Sequence, residues 1–174
     1  MPPSHRTLEP DLQQGFYEHQ LARIRHHLTA RALSRLPEPE SWLDVGTGEG
    51  RFPEAAKRFF PYTSFDGVDP TDRVERALAE GRVEEAYRGG LPDVAPRLHS
   101  RYDVVSLLGP PTDPADLRCA YLVLRPGGHI VLGAGWSPTA AEIPPRTLLT
   151  GIHRIPFLSH HRIVARKPTA PELP

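Results

Sequence analysis

Apolar positions along the chain alternate between two periods. Short runs at 41–45, 64–69, 102–108 and 129–134 read as strands, with a weaker one near 83–88. Val104-Val105 and Ile130-Val131-Leu132 are apolar at successive positions, as strands covered on both faces require. Helix-compatible stretches fall between them at 51–59, 71–80, 92–98 and 113–123. Pro53 is tolerated in a first turn, and Gly81 closes the second of these helices. Upstream, Leu21, Ile24, Leu28 and Ala32 recur at helical spacing within 11–36, with Arg23, Arg25, His26 and Arg31 around the other side. Asp11 supplies a cap, and Pro37 and Pro39 end the helix, which is expected to cover a sheet face or the mouth of a cleft. The regular alternation predicts an α/β fold, a mostly parallel sheet with helices on both faces. Beyond 134 the pattern loosens. Pro138, Pro144 and Pro145 leave little room for a helix, and 147–155 and 160–166 read as two strands around a turn at 156–159. The expectation is one domain over 11–168, with disordered ends at 1–10 and 169–174.

Charge narrows the partners. Twenty-one basic residues balance 21 acidic ones, so nothing draws the whole chain to nucleic acid or to an anionic membrane. Arg82, Arg88, Arg97 and Arg101 form no stripe that would mark a nucleic-acid footprint. No apolar run approaches the ~20 residues of a membrane span, and no signal-like segment opens the chain. Cys119 is the lone cysteine, which excludes an intrachain disulfide and fits a cytoplasmic setting.

The chemistry concentrates between the first two strands. Leu43-Asp44-Val45 runs into Gly46-Thr47-Gly48-Glu49-Gly50, and Asp69 ends the next strand 19 residues after Gly50. Glycine reaches positive φ cheaply and lets backbone N–H groups approach a ligand, and a helix start favours an anionic group. An acid at the second strand end suits ribose hydroxyls. The spacing is G-x-G-x-G; a dinucleotide fingerprint needs its third glycine where Arg51 stands, and the Gly-Lys-Ser/Thr ending of a P-loop is absent.

Residues 43–50 resemble the first motif of class I S-adenosylmethionine-dependent methyltransferases. Tyr102-Asp103-Val104-Val105-Ser106-Leu107 is similar to the fourth strand of that fold, and Leu124-Arg125-Pro126-Gly127-Gly128 followed by 129–132 resembles its helix-end turn and fifth strand. The likeness covers about 40–134, in order. It implies a Rossmann-like doubly wound sheet that ends in an antiparallel hairpin. It also implies a cofactor, S-adenosyl-L-methionine. Gly46, Thr47, Gly48 and Gly50 then form the loop under its methionine part, and Asp44 orients its amino group. Asp69 takes the ribose, with Pro70 and Thr71 beside the adenine and Gly90 and Leu91 flanking it. Ser106, with Leu107, lines the cleft.

The expected activity is methyl transfer to an O, N or C nucleophile of a small molecule. Alternatives are a non-catalytic S-adenosylmethionine-binding module working with a protein partner and, less favoured, a nicotinamide-dependent oxidoreductase. A homodimer is left open. No catalytic residue is assigned, because 107–114 is short, Pro-rich and free of histidine. Asp113 reads as a helix cap rather than a base. His26 and His27 are adjacent and diverge on a helix, and His153, His160 and His161 have no acid or cysteine nearby in sequence, so no metal site is expected. A histidine facing the cleft would be the best base. Trp42 reads as a packing residue; Trp136 reads as a cover over the core or, less favoured, as a substrate-side wall.

Overall fold

The computed structural model describes residues 10–110, 113, 115–133, 136, 148–154 and 161–169. The segments 135, 137–147 and 155–160, the Pro156–Ser159 turn, His160 and the chain ends before 10 and after 169 lie outside them. So do the side chains of His153 and His161.

The elements run in the expected order. Helix α1 (Pro10–Leu33) precedes β1 (Ser41–Val45), α2 (Arg51–Ala56), β2 (Ser64–Asp69), α3 (Arg73–Ala79) and β3 (Glu85–Arg88). Then come α4 (Leu91–Val94), a 3-10 turn (Ala95–Leu98), β4 (Tyr102–Leu107), α5 (Asp116–Val123), β5 (Leu124–Leu132), β6 (Leu148–Arg154) and β7 (His161–Arg166). The seven strands form one sheet in the order β3-β2-β1-β4-β5-β7-β6. The first five pair in parallel; β7 runs antiparallel to β5 and to β6. This is the Rossmann-like, doubly wound arrangement with a terminal antiparallel hairpin.

The apolar alternation divides between two cores. Trp42, Phe65, Val104 and Val131 face Ala30 and Leu33 of α1 and Phe52, Ala56 and Phe60 around α2. Leu43, Val105, Ile130 and Leu132 face Leu91, Val94, Leu117, Ala120 and Val123 on the opposite side. Register joins them, with Trp42 opposite Val104 and Leu43 opposite Val105. Trp42 is fully buried and touches Phe52, Phe60 and Phe65 at ring centroids of 5.3–5.7 Å. Aromatic contacts of this kind add to the area they bury.

Three local expectations are corrected. The buried side of α1 is Thr29, Ala30 and Leu33; Leu21 and Ile24 are 51% and 52% exposed. Ala30 and Leu33 share a core with Trp42, Phe52 and Phe60, so that side of α1, rather than the Leu21–Ile24 side, meets the sheet. Strand β5 starts at Leu124 rather than 129, through a register shift between Tyr102 and Val104 that absorbs the Pro-Gly-Gly turn. Helix α1 also begins at Pro10, within the stretch expected to be disordered. Lys167 fastens the end of β7 to α5, its Nζ donating to the carbonyls of Tyr121 (3.0 Å) and Leu124 (2.7 Å). Among the described residues no helix is long and apolar enough to cross a membrane.

Gly67 has a packing role that its place in β2 conceals. A Cβ there would lie 2.6 Å from Cγ2 of Thr47 and 3.3 Å from Val83. Gly67→Ala is expected to cost about 1–3 kcal/mol by overpacking. Adding Thr47→Ser, which removes the offending methyl, recovers most of that loss. Urea unfolding of the two variants measures both; equal destabilisation would refute the contact.

Candidate functional site

The site begins inside the sheet, on three strands. Gly67 of β2, Asp44 of β1 and Ser106 of β4 lie side by side in register. Asp44 is 3% exposed and Ser106 fully buried. Trp42 Nε1 donates to Ser106 Oγ at 2.9 Å, and Ser106 Oγ donates to Asp44 Oδ1 at 2.6 Å. An indole N–H only donates, so the Ser106 proton has one direction left to it, toward the carboxylate. Burial pushes the Asp44 carboxyl up to about 7; the Ser106 bond and the nearby Thr47 hydroxyl act the other way, and Asp69 adds repulsion. The Thr47 effect is the smaller of the two, and Thr47 Oγ1 lies outside hydrogen-bond geometry.

Four N–H groups of the loop after β1 are bonded within the protein: Gly46 and Thr47 both donate to Val68 O (2.8 and 3.1 Å), Gly48 to Asp69 Oδ2 (2.9 Å) and Gly50 to Thr47 O (2.9 Å). Gly46, Gly48 and Gly50 all have positive φ, between 52° and 72°. A Cβ on Gly46 or Gly48 meets nothing, whereas one on Gly50 would strike Arg82 and Ala77 at 2.9 and 3.0 Å. The first two glycines thus leave a bare surface for a ligand, and the third allows close packing. The N–H groups of Gly46, Thr47 and Gly48 hold the loop to β2.

Above this surface lies a cleft of about 660 Å³. Asp44, Gly46, Thr47 and Gly48 form one wall, Phe52 and Leu108 add apolar surface, and Arg25, His26 and Thr29 of α1 close the far side. The cleft therefore has a buried acid at its floor and a histidine in its wall. His26 also lies 6.1 Å, ring to ring, from Phe52. Sequence periodicity gave no reason to choose between His26 and His27; the helix rotation does, since His27 packs on Phe59 instead.

The remaining predicted residues stand around the cleft rather than in its lining. Asp69 is 8% exposed; beyond Gly48, its Oδ1 accepts from Thr71 N (2.9 Å) and Thr71 Oγ1 (2.5 Å). Pro70 is exposed beside it. Gly90 donates to Asp93 Oδ2 at 3.1 Å and starts α4. The Leu91 side chain is buried in the core, so only its backbone is left to meet a ligand. Ser106 acts through Asp44. Asp113 Oδ1 accepts from Ala115 N (2.6 Å), a turn-stabilising bond ahead of α5. Trp136 is 9% exposed and donates to Gly109 O at 2.9 Å, pinning the segment after β4. Among the described residues no group of three His, Cys, Asp or Glu converges to hold a metal.

The family described as "Methyltransferase domain" matches residues 17–134. No curated protein matches the chain in sequence. Solved structures share its fold. The N-methyltransferase NodS from Bradyrhizobium japonicum is 15% identical, with 85% of this chain and 97% of that chain covered and a TM-score of 0.65. CalO1, a methyltransferase in calicheamicin biosynthesis in its SAH-bound form, is 19% identical, with 92% and 59% covered and a TM-score of 0.65. An O-methyltransferase family protein from Burkholderia thailandensis is 14% identical, with 82% and 56% covered and a TM-score of 0.61. The chain thus spans little more than half the length of the last two.

The buried acid yields a pH prediction. An unfolded aspartate ionises near 3.9, so between about pH 4 and 7 the folded chain holds a proton that the unfolded chain has lost. Its contribution to stability is full at low pH and disappears as pH rises through 7. Asp44→Asn escapes that loss. Relative to wild type, the variant is expected to gain on the order of 2 kcal/mol between pH 5 and 8. Parallel denaturation curves would show it; a difference independent of pH would mean that Asp44 ionises normally.

Proposed function

The chain belongs to the methyltransferase domain family, and from that premise we propose that it transfers a methyl group from S-adenosyl-L-methionine to an O, N or C nucleophile of a small molecule. The observation that carries this reading is the pairing of a buried acid, Asp44, at the cleft floor with a glycine loop whose Gly46, Thr47, Gly48 and Gly50 N–H groups are already bonded. A pyrophosphate needs free N–H donors at this loop. A cofactor with a cationic ammonium and sulfonium needs a carboxylate and a bare glycine surface instead.

Bound S-adenosyl-L-methionine supplies a methyl group on a sulfonium centre, open to in-line displacement. The chain's own residues do the rest. Asp44 meets the positive charge, held in one orientation by Ser106 and Trp42. Gly46 and Gly48 permit close approach. Asp69 turns from Thr71 toward ribose hydroxyls, keeping its bond to Gly48 so that the loop stays in place. Pro70, Gly90 and the Leu91 backbone border the nucleoside. Phe52 and Leu108 keep water from the reacting atoms, which favours alignment over hydrolysis. His26 is the candidate base for an acceptor that must lose a proton. The balance of 21 basic and 21 acidic residues is in keeping with a small acceptor rather than nucleic acid.

Calorimetry with S-adenosylhomocysteine tests the cofactor assignment. Wild type is expected to bind one equivalent, Asp69→Ala at least about tenfold more weakly (~1.4 kcal/mol), and NADH not at all. Methyl transfer from labelled S-adenosylmethionine to a panel of phenols, amines and carboxylic acids tests the activity. His26→Ala is expected to lower kcat about 10²–10⁴-fold while leaving S-adenosylhomocysteine affinity unchanged. Tight binding without turnover on any acceptor would favour a binding module; NADH binding in preference would overturn the reading.

A further inference from the structure

Helix α1 has a second working face, turned away from the cleft. A groove of about 610 Å³ runs between α1 and α2. Its walls carry Arg23, Arg51, Arg58 and Arg82 against a single acid, Glu54. Arg51 and Arg82 already have ion-pair partners: Arg51 meets Glu49 at 2.8 Å, and Arg82 meets Glu80 at 2.6 Å and Glu54 at 3.6 Å. Arg23 and Arg58 are exposed and, among the described residues, make no side-chain hydrogen bond or ion pair. The groove therefore holds two uncommitted guanidinium groups in a chain whose total charge is zero.

Its edge is apolar. Ile24 and Leu28 line the groove, and Tyr17 and Leu21 continue the same stripe toward the helix start. At 100° per residue these four positions fall within about 60° of one another. Tyr17, Leu21 and Ile24 are 66%, 51% and 52% exposed. An apolar stripe on the outside of a charged helix, bordered by unpaired arginines, has the chemistry of a helix-in-groove docking surface.

We infer that the α1–α2 face docks an acidic, amphipathic segment of a protein partner, whose apolar side chains cover Leu21, Ile24 and Leu28 and whose carboxylates pair with Arg23 and Arg58. Charge complementarity selects this occupant. A carboxylate matches the planar guanidinium fork two bonds at a time. A nucleic-acid backbone would use the arginines but leave the apolar stripe wet, and it would need a wider basic surface than a neutral chain offers. His26 lies on the opposite side of α1 from Ile24 and Leu28, whereas Arg25 flanks Leu21 and Arg51 lines both the groove and the cleft.

The test uses the full chain and a defined probe. The probe is a fluorescein-labelled helical peptide with leucines at i, i+4 and i+7 and glutamates elsewhere; its counterpart has lysine in place of every glutamate. Anisotropy in ~50 mM salt is expected to show saturable binding of the glutamate peptide, with the lysine peptide at least about tenfold weaker. The Arg23→Glu/Arg58→Glu double variant and Leu21→Ser/Ile24→Ser are each expected to weaken binding about tenfold or more. All substituted positions are on or near the surface, and unchanged S-adenosylhomocysteine binding and thermal midpoint would show that the variants are folded. The inference is overturned by any of four results: no saturable binding up to millimolar peptide, equal affinity for both peptides, variants that bind as wild type does, or tighter binding of a single-stranded oligonucleotide. A concentration-dependent dimer that Leu21→Asp returns to monomer would also overturn it, by making a second copy the occupant.

Discussion

The buried hydrogen-bond chain from Trp42 through Ser106 to Asp44 is the constraint on which the rest depends. A carboxylate in the middle of a doubly covered sheet is costly unless it is bonded. The sheet meets that cost with residues one strand apart. Trp42 is held by three phenylalanine rings, Ser106 is opposite Asp44 in the β1–β4 register, and Gly67 on the other flank makes room for Thr47. The direction of the chain is fixed because the indole cannot accept. Packing on the α1 side thus sets the position and the protonation of the acid at the cleft floor.

The same economy governs the loop. A glycine-rich turn between strand and helix is commonly read as an anion site, but the Gly46, Thr47 and Gly48 donors here are spent on Val68 O and Asp69 Oδ2. The cleft is left with a carboxylate and bare glycine surface. That combination attracts positive charge and tolerates close contact. In the proposed function Asp69 serves the loop through its Gly48 bond and would exchange its Thr71 bonds for ribose hydroxyls.

Much of this was legible in the chain. The alternation of period-2 and helical segments located every strand of the parallel core, and Pro-flanked apolar runs located the terminal hairpin. Asp44, Gly46, Thr47 and Gly48 could be picked out because their spacing is local. The misreadings share a cause: they needed partners distant in sequence. Leu21 and Ile24 look like a core face until Ala30 and Leu33 are seen to share the core with Trp42, Phe52 and Phe60. Leu91 follows a glycine turn and yet belongs to the core. Gly67 carried no motif; only its distance to the Thr47 methyl reveals its role. His26 and His27 could not be told apart without the rotation of α1.

In the proposed function, Asp44 is the charge that a cationic cofactor meets. Titration of S-adenosylmethionine into wild type at pH near 7, in two buffers of different ionisation enthalpy, measures protons exchanged on binding. The account predicts proton release, because a cation beside Asp44 lowers its pKa, and loss of that release in Asp44→Asn together with much of the affinity. Binding with no net proton exchange, and with equal affinity in Asp44→Asn, would contradict it.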